Sequence, residues 1–180
     1  MKNMKTFRTL VASWLSLSAL GCSRDKKSSD ESSGIPEIPE LKIIAVEMLA
    51  SYGDSLIIKY GDFEMLVDAG TQTDKFNVQE ALTEYVTDKV LDVCMISHLH
   101  ADHIGSVAGD FFSSIGIEVK TFIDNDNTGS AKCVGNYLAL RNSYVENGSE
   151  LIVPYKLFED PEASKIFWID EANNVYIEFF

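Results

Sequence analysis

The sequence has 180 residues, 46% of them hydrophobic and 24% charged, which is typical of one globular domain and excludes a chain that is disordered throughout. Its 15 basic and 28 acidic side chains give a formal net charge of −13. A chain this acidic is a poor non-specific binder of nucleic acid, so the charge argues against a polynucleotide substrate without excluding one.

The first 22 residues have the layout of a secretory signal peptide. Three basic residues precede an apolar run over residues 9–20, which is too short to span a bilayer. Cys22 follows directly and resembles the processed cysteine of bacterial lipoproteins, which becomes the lipidated first residue of the mature chain. Removal of residues 1–21 would leave 12 basic and 28 acidic side chains, a net charge of −16.

This layout predicts a protein of the bacterial cell envelope that a lipid anchors to the membrane, facing the periplasm or the exterior. An ordinary cleaved signal peptide, and hence a secreted protein, is the alternative. Residues 23–40 are rich in Ser, Lys, Asp, Glu and Pro and cannot bury enough apolar surface to order themselves. We therefore expect a flexible tether there and a globular domain over residues 41–180.

The domain opens with three predicted strands, over residues 41–46, 55–60 and 63–67. Gly61-Asp62 between the last two is a two-residue hairpin signal. Asp74 is predicted to cap a helix whose apolar stripe would face the core. The residues of that stripe are Phe76, Val78, Leu82, Tyr85 and Val86.

The remaining elements alternate between helix and strand. Apolar runs predict strands over 91–96 and 117–123, and apolar residues from Ile104 to Phe111 recur at helical spacing. A helix over 128–147 and a hairpin of strands over 165–169 and 175–180 complete the pattern. This order suits sheets packed on each other with helices outside.

All three histidines of the chain fall within residues 97–105, where a predicted strand gives way to a predicted helix. In an extended segment, residues two apart point to the same side, so His98 and His100 would project together while Leu99 turns inward. Asp102 and His103 follow as the chain bends, and they would face a point a few ångström further on.

Neutral imidazole and carboxylate are ligands that borderline divalent metals such as zinc accept. The two pairs, His98 with His100 and Asp102 with His103, predict two adjacent metal positions. A polar loop whose histidines only face water is the alternative, but the ligand types, their spacing and the strand–loop–helix context favour a metal site.

The motif His-x-His-x-Asp-His followed by Gly resembles the signature loop of the metallo-β-lactamase superfamily. The resemblance implies an α+β fold, the αββα sandwich, with one or two zinc ions (or iron or manganese) at one edge. It makes His98 and His100 ligands of the first metal, and Asp102 and His103 ligands of the second. It also implies hydrolysis by a metal-held hydroxide of a small-molecule ester, phosphodiester, lactone or amide, with Asp102 as the catalytic group that orients the water.

Two upstream segments extend the resemblance. Asp68-Ala69-Gly70 matches the first motif of the superfamily, in which the aspartate orients metal ligands through hydrogen bonds. Gly53-Asp54-Ser55 resembles a turn in the branch that contains the hydrolase domain of DNA-uptake competence proteins, although a plain turn explains Asp54 equally well.

The sequence departs from the superfamily downstream, because no histidine follows His103. We expect only the N-terminal part of the sandwich, in a C-terminally truncated chain that is inactive as given and hydrolytic in a longer form. A non-catalytic envelope lipoprotein that retains the fold is the alternative. Asp124 and Asp126 are predicted to lie in a loop, and a Cys94–Cys133 disulfide is left open beside two free thiols.

Overall fold

The structure of the chain is a computed structural model, and it describes residues 38–180. The predicted signal peptide, the lipidation site at Cys22 and nearly all of the predicted tether lie outside the described residues. Among the residues described, no helix is both long enough and apolar enough to cross a bilayer.

A six-stranded sheet organises the chain, with its strands in sequence order from β1 to β6. Strands β1, β2 and β3 pair antiparallel, whereas β3, β4, β5 and β6 pair parallel. The strands are β1 (Leu41–Ala45), β2 (Leu56–Tyr60), β3 (Phe63–Val67), β4 (Val90–Met95), β5 (Glu118–Ile123) and β6 (Glu150–Ile152).

The other elements of residues 38–180 are four α-helices, two short 3-10 helices (Gln72–Asp74 and Ser113–Ile115) and a separate two-stranded sheet. The α-helices are α1 (Lys75–Tyr85), α2 (Ala101–Ile104), α3 (Lys132–Glu146) and α4 (Pro154–Glu159). The small antiparallel sheet consists of β7 (Ile166–Asp170) and β8 (Val175–Glu178). The predicted hairpin at Gly61-Asp62 is confirmed, since Tyr60 pairs with Phe63 and Gly61 has the positive φ of 59° that a tight turn requires.

Alternating side chains give the main sheet two apolar faces. Leu66, Cys94 and Phe122 lie side by side on one face and pack with the buried residues of α1 and α3. Met65 and Ile123 belong to the core on the other face, where the β7–β8 sheet packs. The layers are therefore helices, a six-stranded sheet and a second sheet, as the predicted packing of sheets with outer helices requires.

The helix predicted after the histidine motif is much shorter than its periodicity suggested. Helix α2 ends at Ile104, and Val107 and Phe111 are buried in turns rather than in a helix. Gly109 has a φ of 61°, which a right-handed helix cannot accommodate. The apolar spacing therefore predicted correctly that Val107 and Phe111 are buried, but it predicted a helix where the chain forms turns.

Several smaller predictions also need correction. Phe76 was placed in the apolar stripe of α1 but is 70% exposed, whereas Val78 and Leu82 are buried. Helix α3 begins four residues later than predicted, and β6 and α4 were missed because three and six residues are too short for a periodic pattern. Cys94 and Cys133 are free thiols, so the disulfide left open by the sequence is not formed.

A buried ion pair fastens the end of β5 to α3. The Arg141 guanidinium donates to the Asp124 carboxylate at 2.9 and 3.0 Å, and the Tyr137 hydroxyl donates to the same carboxylate at 2.6 Å. Arg141 also pairs with Asp126 at 3.0 Å. Both aspartates lie in the predicted loop after β5, and their contacts give them a structural role there.

A second buried carboxylate, that of Asp74, holds the loop between β1 and β2. It was predicted to cap α1, but it makes no side-chain cap with that helix. Its oxygens instead accept hydrogen bonds from the Leu49 and Ala50 amides (2.7 and 3.3 Å) and from the Thr71 amide and hydroxyl (2.7 and 2.6 Å). Burial by itself raises the pKa of Asp74, but these hydrogen bonds outweigh it and hold the pKa below its ordinary value.

We predict that Asp74→Asn lowers the free energy of unfolding at neutral pH by about 2 kcal/mol, because an amide cannot replace an acceptor of four hydrogen bonds. A carboxyl group with a depressed folded-state pKa stabilises the protein above its unfolded-state pKa, about 3.9, and loses that effect as the pH falls through the folded value. The difference between wild type and variant should therefore shrink below about pH 4 in urea titrations. As the control, Asp62→Asn, at an exposed turn, should have the free energy of unfolding of the wild type. If the stability difference between Asp74→Asn and the wild type did not change with pH, the proposed role of the Asp74 carboxylate would be wrong.

Candidate metal centre

The histidine motif lies at the carboxyl end of β4, between that strand and α2. The parallel neighbour β5 continues the sheet there through a hydrogen bond from the Ile96 amide to the Ile123 carbonyl (2.8 Å). Leu99 turns inward and packs against the main core, as the alternation predicted. His98 is half-buried and His100 is exposed, so the imidazoles lie at the solvent edge of the sheet.

The three imidazoles come together at this edge. The ring centroid of His98 lies 4.5 Å from that of His100 and 4.0 Å from that of His103. Asp102 stands in the first turn of α2, and its Oδ2 lies 3.7 Å from Nε2 of His103. One loop and one helical turn thus gather the four predicted ligands.

Asp68 connects the end of β3 to the histidine motif. Its Oδ1 accepts a hydrogen bond from the Ser97 amide (2.8 Å), and its Oδ2 accepts from the Ser97 hydroxyl (2.6 Å) and from Nδ1 of His103 (2.8 Å). The side chain is only 7% exposed, and the backbone is left-handed, with a φ of 55°. Asp tolerates this conformation better than most residues, because its short carboxylate bonds nearby groups.

These hydrogen bonds fix which ring nitrogens remain available. An ionised carboxylate only accepts, so Nδ1 of His103 is the donor, and in the neutral ring this tautomer places the lone pair on Nε2. The Ser97 hydroxyl donates to Asp68 and therefore accepts from Nδ1 of His98, 3.1 Å away, which leaves Nε2 of His98 free as well. Asp68 is thus hydrogen-bonded to one imidazole directly and connected to a second through Ser97.

The sequence prediction gave Ser97 no role, although it named Asp68 as an orienting group. The signal that could have found it is a hydroxyl residue at the carboxyl end of β4, directly before the first histidine. Its partner Asp68 is 29 residues away in sequence, so only the parallel pairing of β3 with β4 brings the two together.

Backbone contacts hold the loop against the end of β3. The Ala69 amide donates to the His103 carbonyl (2.8 Å), and the Gly105 amide donates to the Gly70 carbonyl (2.9 Å). A Cβ at Gly105 would lie 2.7 Å from the Gln72 nitrogen, and a Cβ at Gly53 would lie 2.8 Å from the Asp102 carbonyl oxygen. Only glycine permits these approaches without a shift of the backbone.

The donor set fits a borderline divalent metal in its chemistry but does not close a site. Imidazole nitrogen and carboxylate oxygen suit zinc, and the hydrogen bonds that Nδ1 donates leave Nε2 of two rings available. Within residues 38–180, however, no group of three or more His, Cys, Asp or Glu side chains is arranged to hold a metal ion. A catalytic zinc usually has three protein ligands, so each position would need at least one more.

A family model described as "Anti-Pycsar protein Apyc1" matches residues 45–113, from the end of β1 through the histidine motif. This is 69 of the 180 residues, fewer than half of the chain. No curated protein matches the sequence.

Among solved structures, the chain is similar to a metallo-β-lactamase of Cronobacter sakazakii (16% identity, 47% of this chain and 30% of that one, TM-score 0.36). It is also similar to the metallo-β-lactamase fold protein YhfI of Bacillus subtilis (23% identity, 50% and 38%, TM-score 0.38). A third is the flavodiiron protein of Giardia intestinalis (14% identity, 76% and 33%, TM-score 0.45).

These similarities concern the fold alone, and the chain spans less than half the length of each of the three proteins. The predicted fold class is confirmed by the layers of the described residues, which are those of an α+β sandwich: helices on one face of the main sheet and a second sheet on the other. The ligand roles of the four motif residues, the orienting role of Asp68 and the relation to the competence-protein branch stay predictions.

We predict that Asp68→Asn lowers the free energy of unfolding by about 1–3 kcal/mol, because the new amide group faces the donors of Ser97 and His103. Asn keeps the shape of the Asp side chain and tolerates the left-handed backbone, so the loss of stability measures the hydrogen bonds rather than backbone strain. Urea denaturation measures the cost. Asp54→Asn, in an exposed turn nearby, is the control, and equal stability of the two variants would refute the predicted role of the carboxylate.

Proposed function

We propose that this protein is a metal-dependent hydrolase of the metallo-β-lactamase superfamily, active in a form that supplies at least one further ligand to each metal position. The observation that carries the proposal is the hydrogen-bond chain from Asp68 through Ser97 to His98, and from Asp68 directly to His103. A buried carboxylate that fixes two imidazole tautomers and leaves both Nε2 atoms free is more specific than a solvent-facing polar loop requires.

Each motif residue has a place in this proposal. His98 and His100 would bind the first metal, and Asp102 and His103 the second. A divalent ion there would polarise the bond under attack and lower the pKa of a bound water towards neutrality. Asp102, at the start of α2 and partly exposed, would orient the attacking water through its free carboxylate oxygen. Zinc is the metal we expect, with iron or manganese as alternatives that accept the same ligands.

The substrate class we propose is a small molecule with an ester, phosphodiester, lactone or amide bond. The net charge of −13 speaks against a polynucleotide, which would be repelled over most of the surface. The match to the family described as "Anti-Pycsar protein Apyc1" covers the histidine motif, and this description hints at a role different from the reactions named here. We also propose that a lipid on Cys22 anchors the protein at the cell envelope.

A non-catalytic envelope lipoprotein is the second candidate. The observation in its favour is that the described residues hold no group of three ligands around one point. The two candidates differ in what a longer form of the protein would contain. Further histidine and aspartate ligands would support the enzyme, whereas a longer chain without them would support the non-catalytic lipoprotein.

We predict that the 180-residue chain binds zinc weakly and has little hydrolytic activity, since two imidazoles do not close a site. In an extended form that carries the further ligands, His100→Ala should reduce bound zinc by at least tenfold and abolish turnover, because it removes a direct ligand. Elemental analysis and a screen of phosphodiester, lactone and β-lactam substrates measure the two effects.

Asp62→Asn, far from the motif at the β2–β3 turn, should retain both zinc and activity. If His100→Ala retained them as well, the motif would not be the metal centre and the hydrolase proposal would be lost.

A further inference from the structure

A cavity of about 480 Å³ lies next to the histidine motif. Its volume is in the range of small-molecule sites. Its walls come from the β1–β2 loop, the segment before α1, the turn of α2 and the start of α3. The polar residues of the wall that matter here are Tyr52, Gln72, Thr73, Lys75, Lys132 and Asn136.

The cavity meets the motif through residues other than the candidate ligands. Ala101, Gly105, Ser106 and Ala108 line it. None of the three histidines and neither Asp68 nor Asp102 lines it. The cavity is therefore distinct from the candidate metal centre and shares with it only the backbone of the motif.

The charge of the cavity wall is opposite to that of the whole chain. The described residues of the wall include two lysines and no aspartate or glutamate, although the chain has 28 acidic and 15 basic side chains. Asp74, which is hydrogen-bonded to Thr71 of the wall, is fully buried, and its oxygens accept hydrogen bonds from four donors of the protein. Among the described residues, the side chains that line the cavity therefore carry only positive formal charge.

Both lysine side chains can contact a ligand with little loss of the protein's stability. Lys75 pairs with Asp110 at 2.9 Å, but both side chains are exposed, and such surface pairs contribute little stability. Lys132 forms no ion pair with any carboxylate among residues 38–180. Gln72, Thr73 and Asn136 add side-chain groups that can donate to an oxyanion.

We propose that this cavity binds a small oxyanion, either free phosphate or the phosphate group of a small ester, with Lys75 and Lys132 as its charge partners. Helix α3 supports this, since its first turn lines the cavity and contains no acidic residue. Tyr52, 64% exposed at the cavity, offers an aromatic face to the organic part of an ester. The proposal does not rest on the hydrolase function, because it needs no metal.

Cys133 in the cavity wall provides a site-specific test. The full chain is labelled with iodoacetamide without metal, in phosphate or in chloride of equal ionic strength, and mass spectrometry reads each cysteine separately. At ten times the dissociation constant about nine-tenths of the cavities are filled, so we expect Cys133 labelling to slow about tenfold. Cys94 is fully buried, and burial raises the pKa of its thiol, so it should stay unlabelled in both salts.

Two double variants of equal net charge distinguish binding of phosphate in this cavity from a general electrostatic effect of the salt. The Lys75→Gln, Lys132→Gln double variant should lose the protection by phosphate, with less than about a twofold effect, because both charge partners are gone. Lys42→Gln, Lys120→Gln removes two exposed lysines outside the cavity and should keep the full protection. If the first double variant does not fold, as circular dichroism would reveal, Lys132→Gln alone replaces it, since this side chain is exposed.

Two outcomes would overturn the proposal: labelling of Cys133 that phosphate leaves unchanged in the wild type, or protection that is equal in the two double variants. Phenyl phosphate as a second probe distinguishes the two sources of the anion. Tighter protection by phenyl phosphate than by phosphate indicates an ester as the ligand, and equal or weaker protection indicates free phosphate.

Discussion

The arrangement of the candidate site depends on one buried carboxylate, that of Asp68. A carboxylate removed from water is costly unless donors surround it, and Asp68 meets three of them, the amide and hydroxyl of Ser97 and Nδ1 of His103. These bonds join the carboxyl ends of β3 and β4. Because these bonds include Nδ1 of His103 and the Ser97 hydroxyl beside His98, the group that satisfies this buried charge also contacts the histidine motif.

A second carboxylate, that of Asp74, fixes another segment next to the motif. Asp74 holds Thr71 and the loop at Leu49 and Ala50, and this loop leads to the close approach of Gly53 to the Asp102 carbonyl. Hydrogen bonds to two buried carboxylates therefore fix backbone that adjoins the motif. Sites supported in this way hold their geometry better than sites on free loops.

Two groups of residues of different chemistry adjoin the motif. The imidazoles and Asp102 suit a metal cation, whereas the cavity lined by Ala101 and Gly105 of the motif has Lys75 and Lys132 in its wall. An anion in the cavity would thus lie against the segment that carries Asp102. The two proposed sites are therefore neighbours, although each can be tested separately.

The sequence by itself determined what is local. Three histidines and an aspartate within six residues named the candidate ligands, and Gly61-Asp62 set the β2–β3 hairpin, because neighbours along the chain interact whatever the rest does. The tertiary structure decided what joins distant segments: the bonds of Asp68 to residues 29 and 35 positions away, the partners of Asp74, and a cavity with walls from four segments. It also ended α2 at Ile104, where the periodicity predicted a longer helix. Apolar spacing records which residues are buried, but strand order and backbone torsions decide which groups meet.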